Sequence, residues 1–262
     1  MASPIPPQIR SQASKDAMSR RSRFPRRIVN TSASWFRTLT MLLAAVILGT
    51  CIALLLTKLS PQVAELAGEH TATGQAADVL GTLNVDDSAN PGGYDRDLFG
   101  FRKTDANNDG CDVREDILAR DLTDVRYKYR GSCTVASGIL HDPYTGATIH
   151  FTRGVKTSSA VQIDHVVALE NAWRSGANTW DTSKRYAFAN DPYNLLAVDG
   201  PANQSKGSAS AAYWLPTNSA YRCEYVARQI GVKAKYSLSV TSNEKTAMLA
   251  VLHACPAQEI PQ

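Results

Sequence analysis

The chain has 262 residues, 44% hydrophobic and 20% charged, proportions near the globular average that exclude a wholly disordered or multi-span membrane protein. The length fits one ordinary domain plus a sizeable extra segment. Its formal charge of +4 is uneven: Arg10, Lys15, Arg20, Arg21, Arg23, Arg26, Arg27, Arg37 and Lys58 stand against Asp16 alone in residues 1–58, a net +8, which leaves −4 for the rest. A mildly acidic main body excludes a broad electrostatic footprint on nucleic acid, so any such function has to come from a local site.

Residues 1–34, rich in Ser, Pro, Gln and Arg, read as a disordered basic cytoplasmic tail. Leu39–Leu56 is uncharged and, with its flanks, approaches the roughly 20 residues of a spanning helix. A transmembrane signal anchor over residues 35–59 is expected. The arginines before it place that end in the cytoplasm and the C-terminal part outside the cell. A cleaved signal peptide and a secreted product form the alternative, against which stand the long preceding region and the lack of a clean A-x-A site. Residues 60–93 read as a stalk, with a short helix around Val63–Ala67 and an end at the breaker cluster Asn90-Pro91-Gly92-Gly93. The folded domain is expected from about Tyr94.

Cys51 lies inside the apolar run, leaving Cys111, Cys133, Cys223 and Cys255 in the exported part. Four cysteines allow three pairings, of which proximity along the chain favours Cys111–Cys133 and Cys223–Cys255. Their scattered spacing lacks the C-x-x-C pair of a structural zinc site. Asp105-Ala106-Asn107-Asn108-Asp109-Gly110 has the start of a calcium loop, with Asp116 where a Glu is usual, so Ca2+ over Asp105–Asp116 competes with a plain Asx-turn.

Apolar spacing predicts a helix over Val113–Arg120, then short strands near Val125–Tyr129 and Cys133–Leu140. Asp142-Pro143-Tyr144-Thr145-Gly146 supplies turn chemistry for a hairpin between Ser137–Leu140 and Ala147–Thr152. Val161–Val167 is a β-branched run. Helices follow over Ala168–Ser175, stopped by Gly176, and over Thr182–Ala189. Leu195–Val198 reads as a strand, Asp199-Gly200-Pro201 as a turn into a segment from Ala202, and later helices are expected over Ala220–Ile230 and Asn243–Ala254. The whole is an α+β domain.

Chemistry concentrates in Ile163-Asp164-His165-Val166-Val167 and, further on, Asn194-Leu195-Leu196-Ala197-Val198 leading to Asn203-Gln204-Ser205-Lys206, an order of strand, strand, helix. Cutting a phosphodiester needs a base for water, a cation against the charge building on phosphate, and ligands for that cation. His165 suits the base because an imidazole titrates near pH 6.5, and Asp164 and Asn203 offer the hard oxygens that Mg2+ or Mn2+ prefers.

This layout resembles the HNH, or His-Me finger, nucleases with their ββα-metal unit. Ile163–Leu169, Trp173–Ala177, Phe188–Asp191, Asn203–Gly207 and Trp214-Leu215-Pro216 further resemble an exported actinobacterial HNH endonuclease family related to the C-terminal domain of GmrSD-type restriction endonucleases. The resemblance implies an HNH finger embedded in a small disulfide-containing domain over residues 94–262. It also implies that Asp164 and Asn203 bind the metal, His165 activates water, Asn194 orients the imidazole and Lys206 touches phosphate. The segment between the two strands is longer than in compact HNH motifs. Neighbours on a regular strand point to opposite faces, so the strand is expected to end or bulge at Asp164. The expected function is endonucleolytic hydrolysis of DNA, with RNA as the alternative substrate. The competing class is a catalytically inactive, surface-anchored binding module.

Overall fold

A computed structural model describes residues 31–59, 71–100 and 104–261. Residues 1–30 of the tail expected over 1–34, the first part of the stalk and its short helix around Val63–Ala67 lie outside the described residues, and residues 31–34 of that tail are helical. Thr31–Leu59 forms one continuous helix, α1. Within it Trp35–Leu55 is apolar and exposed, and its 21 residues at about 1.5 Å each match a hydrocarbon thickness of about 30 Å. By length and composition this helix can cross a membrane.

The C-terminal unit is a mixed α+β domain. Helix α2 covers Gln75–Thr82 and α3 covers Val113–Asp121. A three-stranded antiparallel sheet follows, β1 (Thr123–Tyr127), β2 (Val135–His141) and β3 (Thr148–Thr152), with β2 in the middle. Strand β4 (Val161–His165) leads into α4 (Leu169–Arg174) and α5 (Thr182–Ala189). The chain returns as β5 (Leu195–Asp199) antiparallel to β4, and runs directly into α6 (Gly200–Lys206). Helices α7 (Arg222–Tyr236) and α8 (Ser242–His253) close the unit.

Helix α3 is the joint between the two sheets. Its Val113, Ile117 and Leu118 lie on one face at i, i+4 and i+5, and pack with Val135, Leu140 and Phe151 of the first sheet and Val161, Leu195 and Ala197 of the second. Glu115 adds a polar tie, accepting from Val135 N and taking both contacts of Arg153 Nη2 at 2.6 and 2.7 Å. A second cluster buries Phe99, Trp173, Phe188 and Tyr236 beside α4 and α5, and a third buries Tyr144, Val166, Val198, Tyr225 and Ile230 against α7. Both expected disulfides form, Cys111–Cys133 and Cys223–Cys255.

Strands β1 and β2 are shifted by one or two residues from their expected positions, and two boundaries differ more substantially from the sequence reading. The folded body starts ahead of Tyr94: Ala76 and Leu80 of α2 are fully buried in the cluster around Tyr225 and Ile230, and Val85 makes a parallel bridge to Val240. A single turn of apolar spacing among Ala, Gly and Thr gave no sign of this, because the partners of α2 lie some 150 residues away on α7 and α8. Helix α7 also continues past Ile230. Gly231 sits mid-helix, where a Cβ would lie 2.1 Å from the Tyr193 hydroxyl.

If α2 belongs to the core, Leu80→Ala in the full-length chain should lower unfolding free energy by about 2–5 kcal/mol, the usual cost of a large-to-small change in a packed core. Denaturant titration reads this directly, and an unchanged midpoint would return residues 75–82 to a stalk.

Candidate active site

The site grows from the β4–β5 pair. Their register is regular from Val161 opposite Asp199 to His165 opposite Leu195, so β4 neither bulges nor ends at Asp164. That corrects the expectation of a break. Strand alternation then puts Gln162 and Asp164 on one face and Val161, Ile163 and His165 on the other. Helix α6 begins at once after β5, capped by Asp199, whose carboxylate accepts from Ala202 N at 2.8 Å. Gly200 permits this sharp entry, since a Cβ there would stand 2.1 Å from the Ser159 carbonyl oxygen.

Residues three apart on α6 share a face, and that face meets the Gln162/Asp164 side of β4. Asn203 Nδ2 donates to Gln162 Oε1 at 2.9 Å. Lys206 Nζ donates to Asp164 Oδ1 and to the His165 carbonyl, both at 2.9 Å. The other carboxylate oxygen, Oδ2, accepts from the Tyr144 hydroxyl at 2.5 Å. Burial raises the pKa of Asp164, while Lys206 and Tyr144 oppose that rise.

On the opposite face the His165 ring is held by the Ala189 carbonyl, 2.8 Å from Nε2. A carbonyl only accepts, so Nε2 carries the proton and Nδ1 holds the in-plane lone pair. Burial, with Arg96 and Lys206 adding, pushes the imidazole from its usual value down to about 3. The ring is therefore neutral at neutral pH. Because the unfolded chain takes up this proton near pH 6.5 and the folded one does not, this group costs stability as pH falls from about 6.5 towards 3.

Asp164, His165 and Asn203 line one cleft of about 570 Å³. Arg96, Arg114 and Glu170 line it too, none of them singled out by the sequence reading. Arg114 arrives from the first turn of α3, its Nη2 donating to the Val161 carbonyl at 3.1 Å, and Arg96 from a 3-10 turn over Arg96–Phe99. Gln162 could have been found, being two positions before Asp164 on the same strand face. Nothing in the local sequence points from Arg96 or Arg114 to a strand so far along the chain.

Two assigned roles fall elsewhere. Asn194 is fully buried and clasps the backbone of Val167, with Oδ1 accepting from Val167 N at 2.9 Å and Nδ2 donating to Val167 O at 3.3 Å. It fixes the chain leaving β4, and the Ala189 carbonyl holds the imidazole in its place. Lys206 has no exposed side-chain surface and faces Asp164, so it is turned away from any phosphate in the cleft.

The Asp105–Asp116 loop is spent largely on itself. Asp105 accepts from Asp109 N and Gly110 N, and Asp109 from Cys111 N and Asn107 Nδ2. Asp109, Cys111 and Asp116 lie close enough to share an ion, but the Cys111 sulfur is in a disulfide and offers no thiolate.

The family profile described as GmrSD restriction endonucleases, C-terminal domain, matches residues 112–251. An "Uncharacterized secreted protein" of Arthroderma benhamiae is 42% identical over 182 residues, which cover 69% of this chain and 84% of that protein. No solved structure matches.

The buried pairing of Lys206 with Asp164 has a measurable consequence. Lys206→Ala leaves a carboxylate unpaired in the interior and should cost about 3–5 kcal/mol of stability, seen as a lower thermal midpoint in the absence of nucleic acid. A wild-type midpoint combined with weakened substrate binding would restore the phosphate role instead.

Proposed function

The chain belongs to the family of GmrSD restriction endonuclease C-terminal domains, and from that premise we propose that it is a metal-dependent endonuclease of the HNH type, hydrolysing phosphodiester bonds in DNA outside the cytoplasm. In this reading β4, β5 and α6 form the ββα-metal unit. The observation that carries it is that Asp164, His165 and Asn203 all line one cleft, which the cations Arg96 and Arg114 line as well. Export is supported by the apolar helix over Trp35–Leu55, by two disulfides and by the secreted description of the relative. Helix α1 serves as anchor in this reading, with the domain on the outer side.

His165 acts as general base. A neutral imidazole with Nε2–H engaged by the Ala189 carbonyl is the proton acceptor in this reading; burial keeps it unprotonated and makes it a weaker base than a free imidazole, and its fixed orientation lowers the entropic cost of the transfer. Arg96 and Arg114 offset charge building on the phosphate oxygens, the part first given to Lys206. The Asn203 amide oxygen is a hard donor that fits Mg2+ or Mn2+, whereas the Asp164 oxygens accept from Lys206 and Tyr144 and Gln162 Oε1 accepts from Asn203. Asp164 and Asn203 would hold the ion, Asp164 by exchanging one of these hydrogen bonds for the metal, and Glu170 is a further carboxylate lining the cleft. A bound divalent cation supplies Lewis-acid stabilisation of the pentavalent transition state. Tyr144 and Lys206 act as positioning residues, keeping the Asp164 carboxylate in one orientation.

Purified full-length chain should nick plasmid DNA with Mg2+ and stop when the metal is chelated. His165→Ala should lower kcat by about 10²–10⁴-fold with metal affinity retained, whereas Asn203→Ala should weaken metal binding and recover partly in excess Mg2+. Wild-type rates in His165→Ala would overturn the assignment. Inactivity of the wild type with every divalent cation tried would favour a binding module.

A further inference from the structure

Away from the cleft, Arg126-Tyr127-Lys128-Tyr129-Arg130 runs from the end of β1 into the turn before β2, and all five residues are exposed. Tyr127 and Tyr129 keep 47% and 70% of their surface in solvent. Among the described residues none of the three cations takes part in an ion pair, whereas Arg120, Arg153 and Arg174 all do. Lysine and arginine alone would protect the free edge of β1 from unwanted strand pairing. Two large exposed rings between them work against that purpose, because they add apolar surface to the edge.

The segment is held firmly. Lys128 N donates to Thr134 O at 3.0 Å, Ser132 N to Tyr129 O at 3.1 Å, and Gly131 turns the chain at a φ of 81°. Cys133 is tied to Cys111 just ahead of α3, and Val135 N is tied to Glu115. The next residue back on α3, Arg114, lines the cleft. The Asp105 and Asp109 carboxylates across the disulfide accept from their own loop amides.

We propose that this hairpin is an accessory binding site for a single-stranded polynucleotide. Arg126, Lys128 and Arg130 meet backbone phosphates, and Tyr127 and Tyr129 stack on unpaired bases, a combination that tracks a strand without reading its sequence. Charge complementarity selects the ligand, since the rest of the exported part is mildly acidic. The choice of nucleic acid rests on the nuclease reading of the cleft.

The test uses full-length chain in mild detergent and chelator, with fluorescein-labelled oligodeoxythymidylate and oligouridylate followed by anisotropy. Arg126→Gln/Lys128→Gln/Arg130→Gln should reduce the slope of log affinity against log salt by about 2, from three lost contacts at about 0.7 each on a single strand. Tyr127→Ala/Tyr129→Ala should raise Kd by roughly 5- to 150-fold per ring on single strands, with little change on a duplex of equal length. Thermal midpoints and hydrolysis of bis(p-nitrophenyl) phosphate, which needs only the cleft, should stay at wild-type values in both variants. Wild-type Kd and salt slope in both variants would overturn the proposal, even with plasmid cleavage intact. Weakened binding in the variants of a chain that cuts nothing would leave the hairpin site standing and remove the nuclease reading. The DNA and RNA arms identify which strand is preferred.

Discussion

A carboxylate held inside an apolar cluster governs the local architecture. Asp164 sits on a strand face among Tyr144, Val166, Leu196 and Tyr225, where an isolated charge would be too costly to keep. Two partners make it tolerable, and each comes from a different part of the chain: Lys206 from α6 and Tyr144 from the turn after β2. One side chain therefore pins the helix onto its strand and the first sheet's hairpin onto the second sheet. The Tyr144 ring continues the tie to Trp214, 5.0 Å away between ring centres, and to Tyr225 on α7, 5.6 Å away. Asn203 reaches its position as a consequence, one turn before Lys206 on the same helix face.

Much of this was legible because the signals were local. The hairpin over residues 135–152 announced itself through Asp142-Pro143 and Gly146, and the helix expected over Thr182–Ala189 forms over those residues. The disulfides followed from nearness along the chain. What escaped depends on contacts between distant segments. Helix α2 is core because α7 and α8 cover it, position 231 accommodates no side chain because Tyr193 packs against it, and Lys206 is buried against Asp164. A motif assigns residue types to a site, but burial decides which of them still meet solvent. Lys206 and Asn194 are the two for which that distinction changed the chemistry.

The connection between β4 and β5 is where this chain is longer than a compact strand pair needs. Its extra length holds α4 and α5, which build the aromatic cluster of Phe99, Trp173 and Phe188, and α5 ends on the carbonyl that holds the His165 ring. The Asn194 side chain then closes the excursion by gripping Val167 across it. The insertion thus takes over a task that a side chain was expected to perform.

The unbroken register of β4 against β5 makes the strand a ratchet with one working tooth. Because Asp164 and His165 are adjacent and leave on opposite faces, a slip of a single residue would carry the carboxylate into the apolar side beside Leu195 and Ala197 and the imidazole towards Lys206. Both halves of the site would fail together, without any change in composition. A change in length would be tolerated in the long excursion as far as the Ala189 carbonyl keeps its place, but not within the five residues of β4.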